Sequence, residues 1–204
     1  ILFCAVGMLR PWRNDMSTGF TPSQTVGPYL HIGLDWLNTT ELATAHAAGE
    51  RCIIQGQLRD ADGLAIPDGL IEIWQANSQG KYAHPLDQRD LPLDPDFTGF
   101  GRTPTDADGR FRFSTIKPGR VPAIDGTWQA PHILVTVFAR GLIKQLVTRI
   151  YFPDDDHVSD PVMLLVPADR RSTLIAKPVD GQPGILEWDI AIGGGTHETV
   201  FFQL

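Results

Sequence analysis

Asp106-Ala107-Asp108-Gly109, running directly into Arg110-Phe111-Arg112-Phe113-Ser114-Thr115-Ile116, decides the fold class. The first four residues read as a turn. The seven that follow alternate polar and apolar, the period of a strand with one buried face. The same turn recurs as Asp60-Ala61-Asp62-Gly63, between the strand-like Arg51–Leu58 and the apolar run Leu70–Trp74. His132–Phe138, Leu146–Phe152, Arg171–Ala176, Ile185–Ile192 and Glu198–Phe202 continue the series, and the 16 prolines concentrate between such runs. Short strands punctuated by Gly, Pro and Asp predict an all-β sandwich with long loops and little helix. The only helical expectation is a short Ala-rich segment over Asn38–Ala48, capped by Thr39 or Thr40. No repeat of solenoid length is present.

A chain of 204 residues suits one domain with a sizeable core. Acidic residues outnumber basic ones 24 to 17, giving a formal charge of −7. That balance, with no basic run, argues against a nucleic-acid partner. No stretch approaches the roughly 20 apolar residues of a membrane span. Two cysteines, Cys4 and Cys52, make neither a disulfide framework nor a zinc set, and read as reduced thiols in a cytoplasmic protein. Ile1–Gly7 is apolar but follows no basic region, and Leu9–Arg13 does not resemble a cleavage site. Residues 1–15 are therefore expected to be a disordered or non-native extension ahead of Met16, with residues 16–204 forming the single domain.

Several motifs have a plain reading that is the better one. The Asp-x-Asp-Gly pieces lack the further oxygen ligands and terminal Glu of a calcium loop. Gly193-Gly194-Gly195-Thr196 lacks the Lys-Ser/Thr ending of a phosphate cradle and reads as a glycine hairpin between two strands. No nucleophile-elbow sequence organises Ser, His and Asp into a triad.

Two longer stretches carry more. Ile71–Asn77 leads on to Gly80-Lys81-Tyr82-Ala83-His84. Pro118-Gly119-Arg120-Val121-Pro122 is followed by Trp128-Gln129-Ala130-Pro131-His132-Ile133-Leu134. Taken alone, a loop tyrosine and a histidine opening a strand are ordinary structural residues. Together the stretches resemble the intradiol ring-cleaving dioxygenases, whose ferric ion is held by two tyrosines and two histidines. The resemblance places Tyr82 and His132 at two ligand positions, and Val121 and Leu134 at the other two. Neither Val121 nor Leu134 has a lone pair to donate, and ferric iron prefers anionic oxygen donors. Gln129 stands where the family has an arginine able to stabilise charge on the opening ring. The resemblance thus implies a chain that has lost its metal shell and electrostatic helper together.

The resemblance extends to Thr21–Gly33, Phe100–Thr103, Phe111–Gly119, Phe138-Ala139-Arg140-Gly141, Thr148–Phe152, Arg170–Ala176 and Glu198–Phe202, which covers nearly everything from Thr21 onward. In this order the segments look like the iron-free subunit of a hetero-oligomeric, protocatechuate-cleaving branch of the family. The partner implied is a homologous iron-binding subunit. Its Fe(III) and O2 would open the ring between the two hydroxyl-bearing carbons, giving 3-carboxy-cis,cis-muconate in aromatic catabolism. Thr25, Gly27, Pro28 and Tyr29 are then implied at the mouth of the partner's site, and Arg140 near the substrate carboxylate. By themselves these residues read as a Gly-Pro turn and a surface arginine at a strand end. A guanidinium nevertheless suits a carboxylate, through charge-assisted, bidentate hydrogen bonds. Two other readings are a self-sufficient homodimeric catechol or hydroxyquinol dioxygenase and a non-enzymatic β-sandwich binding module.

Overall fold

The structure, a computed structural model, describes residues 22–27 and 29–203. The expected extension over residues 1–15 and Pro28 both lie outside the described residues. The strands, in chain order, are β1 (Arg51–Arg59), β2 (Leu70–Trp74), β3 (Phe100–Pro104), β4 (Arg110–Ile116), β5 (Val121–Pro122), β6 (Trp128–Gln129), β7 (His132–Phe138), β8 (Leu146–Tyr151), β9 (Lys177–Pro178), β10 (Ile185–Glu187) and β11 (Ile190–Ala191).

One sheet runs β3-β2-β7-β8, antiparallel throughout. The other is built on β1. On one side β1 pairs antiparallel with β4; on the other it pairs in parallel with β10 and then β11. Alternation places Ile54 and Leu58 of β1, Phe111 and Phe113 of β4, Ile71 and Ile73 of β2, and Ile133, Val135 and Val137 of β7 in the core between the sheets. Truncating any one of the fully buried aliphatics to alanine costs about 2–5 kcal/mol. Gln75, fully buried, fastens the layers: its amide donates to Ile116 O (2.8 Å) and accepts from the Thr115 hydroxyl (2.8 Å). Cys52 faces the same interior, and burial pushes its thiol up to about 12, so it stays protonated. No described helix is long and apolar enough to cross a membrane.

The Asp-x-Asp-Gly segments are turns. Asp60 Oδ1 accepts from the N–H groups of Asp62 and Leu64, and Asp106 Oδ1 from those of Asp108 and Arg110. Elsewhere tertiary pairing displaced local preference. Residues 38–48 are not helical: Thr39 bridges Arg102, Glu41 bridges Ser114 and Ala43 bridges Phe97, with Leu42 in the core. Those bridges join the segment to both sheets, which outweighs the helix propensity of alanine. Instead, one helical turn, α1, spans Tyr29–Ile32.

Arg171–Ala176, expected as a strand, lies mostly in a 3-10 helix over Ala168–Leu174 that drops Leu174 into a second apolar cluster with Met163, Val166 and Tyr151. A short apolar run does not by itself distinguish strand from helix. Ile185–Ile192 is broken at Trp188 into β10 and β11, and Glu198–Phe202 contributes only a bridge from Phe202 to Val147. The glycine run leads into a 3-10 turn over Gly195–His197 rather than a two-strand hairpin. β3, which the apolar pattern missed, carries Gly101 because a Cβ there would lie 2.8–3.0 Å from Leu42, Ile73 and Phe113.

Candidate functional site

The outer face of the β3-β2-β7-β8 sheet gathers both sets of residues singled out by the sequence. Cross-strand partners share a face, so the register Trp74–Leu134–Arg149 defines one row across it, and His132–Tyr151 the next.

Tyr82 enters from the loop after β2. Asn77 Oδ1 accepts from the N–H groups of Gln79 and Lys81, and the Tyr82 N–H donates to Asp87 Oδ2 at 2.9 Å. Arg89 clasps Asp87 at 2.6 Å, holding that carboxyl well below the usual range, while the buried Lys81 ammonium donates to the carbonyls of Asp87 (2.6 Å) and Arg89. The Tyr82 ring stacks on Trp74 at 6.0 Å, and burial raises its phenol pKa. Gly80 and Gly119 let the next turn approach: a Cβ on Gly80 would sit 2.1 Å from Arg120 O, and one on Gly119 2.5 Å from Gly80 N. That turn leads into β5, where buried Val121 lies opposite Gln129 of β6.

His132 is 6% exposed, with Nδ1 2.8 Å from Ala130 O. Burial first, and Arg149 second, push its pKa down to about 3. The neutral ring donates Nδ1–H to the carbonyl, leaving the lone pair on Nε2. Asp160, also buried, holds this corner: Oδ2 accepts from Ala130 N–H (2.7 Å), and Oδ1 from Val162 N–H (2.9 Å), Met163 N–H (2.8 Å) and the Tyr151 hydroxyl (3.1 Å).

Because His132 binds a proton far more readily unfolded than folded, the unfolded chain carries the extra proton between about pH 3 and the ordinary histidine value. Stability is therefore expected to fall as pH drops through that window, by at most about 1.4 kcal/mol per pH unit from this residue. Urea unfolding between pH 4 and 7 tests it. His132→Asn should flatten the dependence, and an unchanged slope would remove His132 as the cause.

Tyr82 and His132 thus retain donor atoms. Val121 and Leu134 have none, and the set does not fit a ferric ion. Among the described residues, no group of three or more His, Cys, Asp or Glu is placed to hold a metal ion. A positive charge nevertheless stands beside Gln129: Arg149, from β8, donates Nη1–H to Gln129 Oε1 at 2.8 Å and contacts the Tyr151 hydroxyl at 3.3 Å. The sequence carried the signal, since Arg149 and Tyr151 are two residues apart on one strand face.

The second group lies on the same face. Leu70 and Phe138 pair four residues along β2 and β7 from the Trp74–Leu134 pair, about 13 Å away at strand rise. Over them runs the N-terminal segment. Arg102, 6% exposed, anchors it by donating to Leu30 O at 2.7 Å while pairing with Glu72 at 3.0 Å. Thr25 Oγ1 accepts from Gly141 N–H at 3.0 Å, which joins this segment to the loop of Arg140. Val26, Gly27, Leu30, Asp68, Leu70, Phe138 and Arg140 line a cavity of about 280 Å³, near the lower end for a small-molecule site. Arg140 is 68% exposed, with Nη2 3.4 Å from Asp68 Oδ2. Thr25, Gly27 and Arg140 therefore converge. Tyr29 opens α1 beside them, and Pro28 lies outside the described residues.

Residues 29–191 match the family described as "Dioxygenase". The protocatechuate 3,4-dioxygenase alpha chain of Burkholderia cepacia is 42% identical over 200 residues, covering 90% of this chain and 97% of that one. The beta chain from the same organism is 36% identical over 180 residues, covering 84% and 75%. Among solved structures, the intradiol ring-cleavage dioxygenase of Tetranychus urticae superposes with a TM-score of 0.61 at 17% identity, covering 78% of this chain and 87% of that one, a likeness of fold.

Proposed function

The chain belongs to the intradiol dioxygenase family, and on that premise we propose that it is the alpha-type subunit of a protocatechuate 3,4-dioxygenase, working beside a homologous iron-binding beta subunit. The observation that carries this reading is the pairing of a depleted ligand set with an intact cavity on the same face. Val121 and Leu134 supply no donors, whereas Gly27 and Arg140 line about 280 Å³ of space and Thr25 ties their two segments together. Iron, in this reading, belongs to the partner, where it supplies the chemistry that opens the ring with O2.

This chain's residues bind and orient. Arg140 receives the carboxylate of protocatechuate, offsetting the net negative charge of the subunit near the substrate. Gly27 allows close backbone approach at the mouth of the partner's site, with Thr25, Pro28 and Tyr29 shaping the wall. Closing that wall excludes water and restricts the substrate to a reactive orientation.

Co-expression with a homologue that carries all four ligands tests the assignment. A stable complex with iron matching the partner's content and activity on protocatechuate is expected. This chain purified alone with stoichiometric iron and a red tyrosinate-to-iron absorption band would establish a self-sufficient enzyme instead. A stable monomer that forms no complex with the cognate homologue would point to a binding module.

A further inference from the structure

We propose that Arg149 is the resident cation of the half-site, holding the charge position that the ferric ion holds in iron-binding relatives, so that restoring the two missing donors alone does not restore metal binding. The inference rests on family membership and on the depleted ligand set, not on the partner or substrate, so failure to find a complex would leave it standing.

The strand register places the guanidinium. Arg149 is the cross-strand partner of Leu134, and its Nη1 bonds Gln129, the cross-strand partner of Val121. It therefore links the two replaced ligand positions. The two positions that keep donors flank it: His132 lies one row along on the same face, and Tyr82 stacks on Trp74, which pairs with Leu134. A guanidinium stays charged at any ordinary pH. It would repel an incoming ferric ion, and its removal would leave Gln129 Oε1 without that donor.

The test uses the full chain carrying Val121→Tyr and Leu134→His, with and without Arg149→Gln. Folding is checked by circular dichroism, and iron by elemental analysis and the visible tyrosinate-to-iron band. The double variant should hold only trace iron, and the triple variant roughly tenfold more or better, with the band. Stoichiometric iron in the double variant, or a folded triple variant without iron, would overturn the proposal. Should the triple variant not fold, Arg149→Lys and Arg149→Met in the native background decide. The lysine variant, keeping a cation, should melt within about 2 °C of the parent and the methionine variant roughly 5 °C lower. Equal losses would mean that charge is not what Arg149 contributes.

Discussion

Asp160→Ala is expected to lower the melting temperature by roughly 10 °C or more, the largest stability effect of any single polar substitution proposed for this chain. The carboxylate is 1% exposed and accepts from three backbone N–H groups and the Tyr151 hydroxyl. Alanine leaves those donors unsatisfied in a region water does not reach. The desolvation cost of stranded donors, with the loss of charge-assisted bonds, amounts to about 3–5 kcal/mol. The damage should spread locally, because Ala130 N–H leads into His132 and Tyr151 of β8 is the cross-strand partner of that histidine. Asp160→Asn keeps one oxygen acceptor and should lose about half as much. Calorimetry on the three proteins checks the order. An alanine variant that melts with the parent would show that water or a rearranged loop replaces the carboxylate.

Arg140→Ala, in the assembled enzyme, is expected to raise KM for protocatechuate by roughly 10- to 100-fold while kcat changes little, equivalent to about 1.5–3 kcal/mol for a charge-assisted bond. In this chain the guanidinium is 68% exposed, and its contact with Asp68 is worth little in water. Under a partner subunit it would be desolvated and its bond to a carboxylate correspondingly stronger. Two controls isolate the role. Catechol, which lacks the carboxylate, should show the same KM with either residue, and Arg140→Lys should recover part of the loss because it keeps charge without the planar fork. Steady-state kinetics with an iron assay decide the matter. Loss of iron, or an equal effect on catechol and protocatechuate, would remove Arg140 from the carboxylate.

Much of the sheet architecture was readable because one face of each long strand is buried. Arg110–Ile116, His132–Phe138 and Leu70–Trp74 alternate or run apolar for that reason, and each is a strand with the expected bounds. Where pairing is short or supplied by distant chain, the pattern carried no such signal. β3 contains glycine and proline at positions set by core clearance and sheet edge, and residues 38–48 are extended because both sheets offer them partners. The 3-10 helix at Ala168–Leu174 shows the opposite case, apolar spacing serving one buried leucine.

The site divides in the same way. Sequence alone determined that Val121 and Leu134 cannot ligate a metal, because side-chain chemistry does not depend on where a residue sits. It also placed His132 at the start of a strand and Tyr82 in a loop. Only the tertiary structure decided what surrounds them. The register across β7 and β8 brings Arg149 to Leu134, and the β5–β6 pair presents Gln129 to it. Residues 116 positions apart meet where Thr25 accepts from Gly141, and there the cavity forms. Strand register and the path of the loops set these contacts, and no local pattern of residues specifies them.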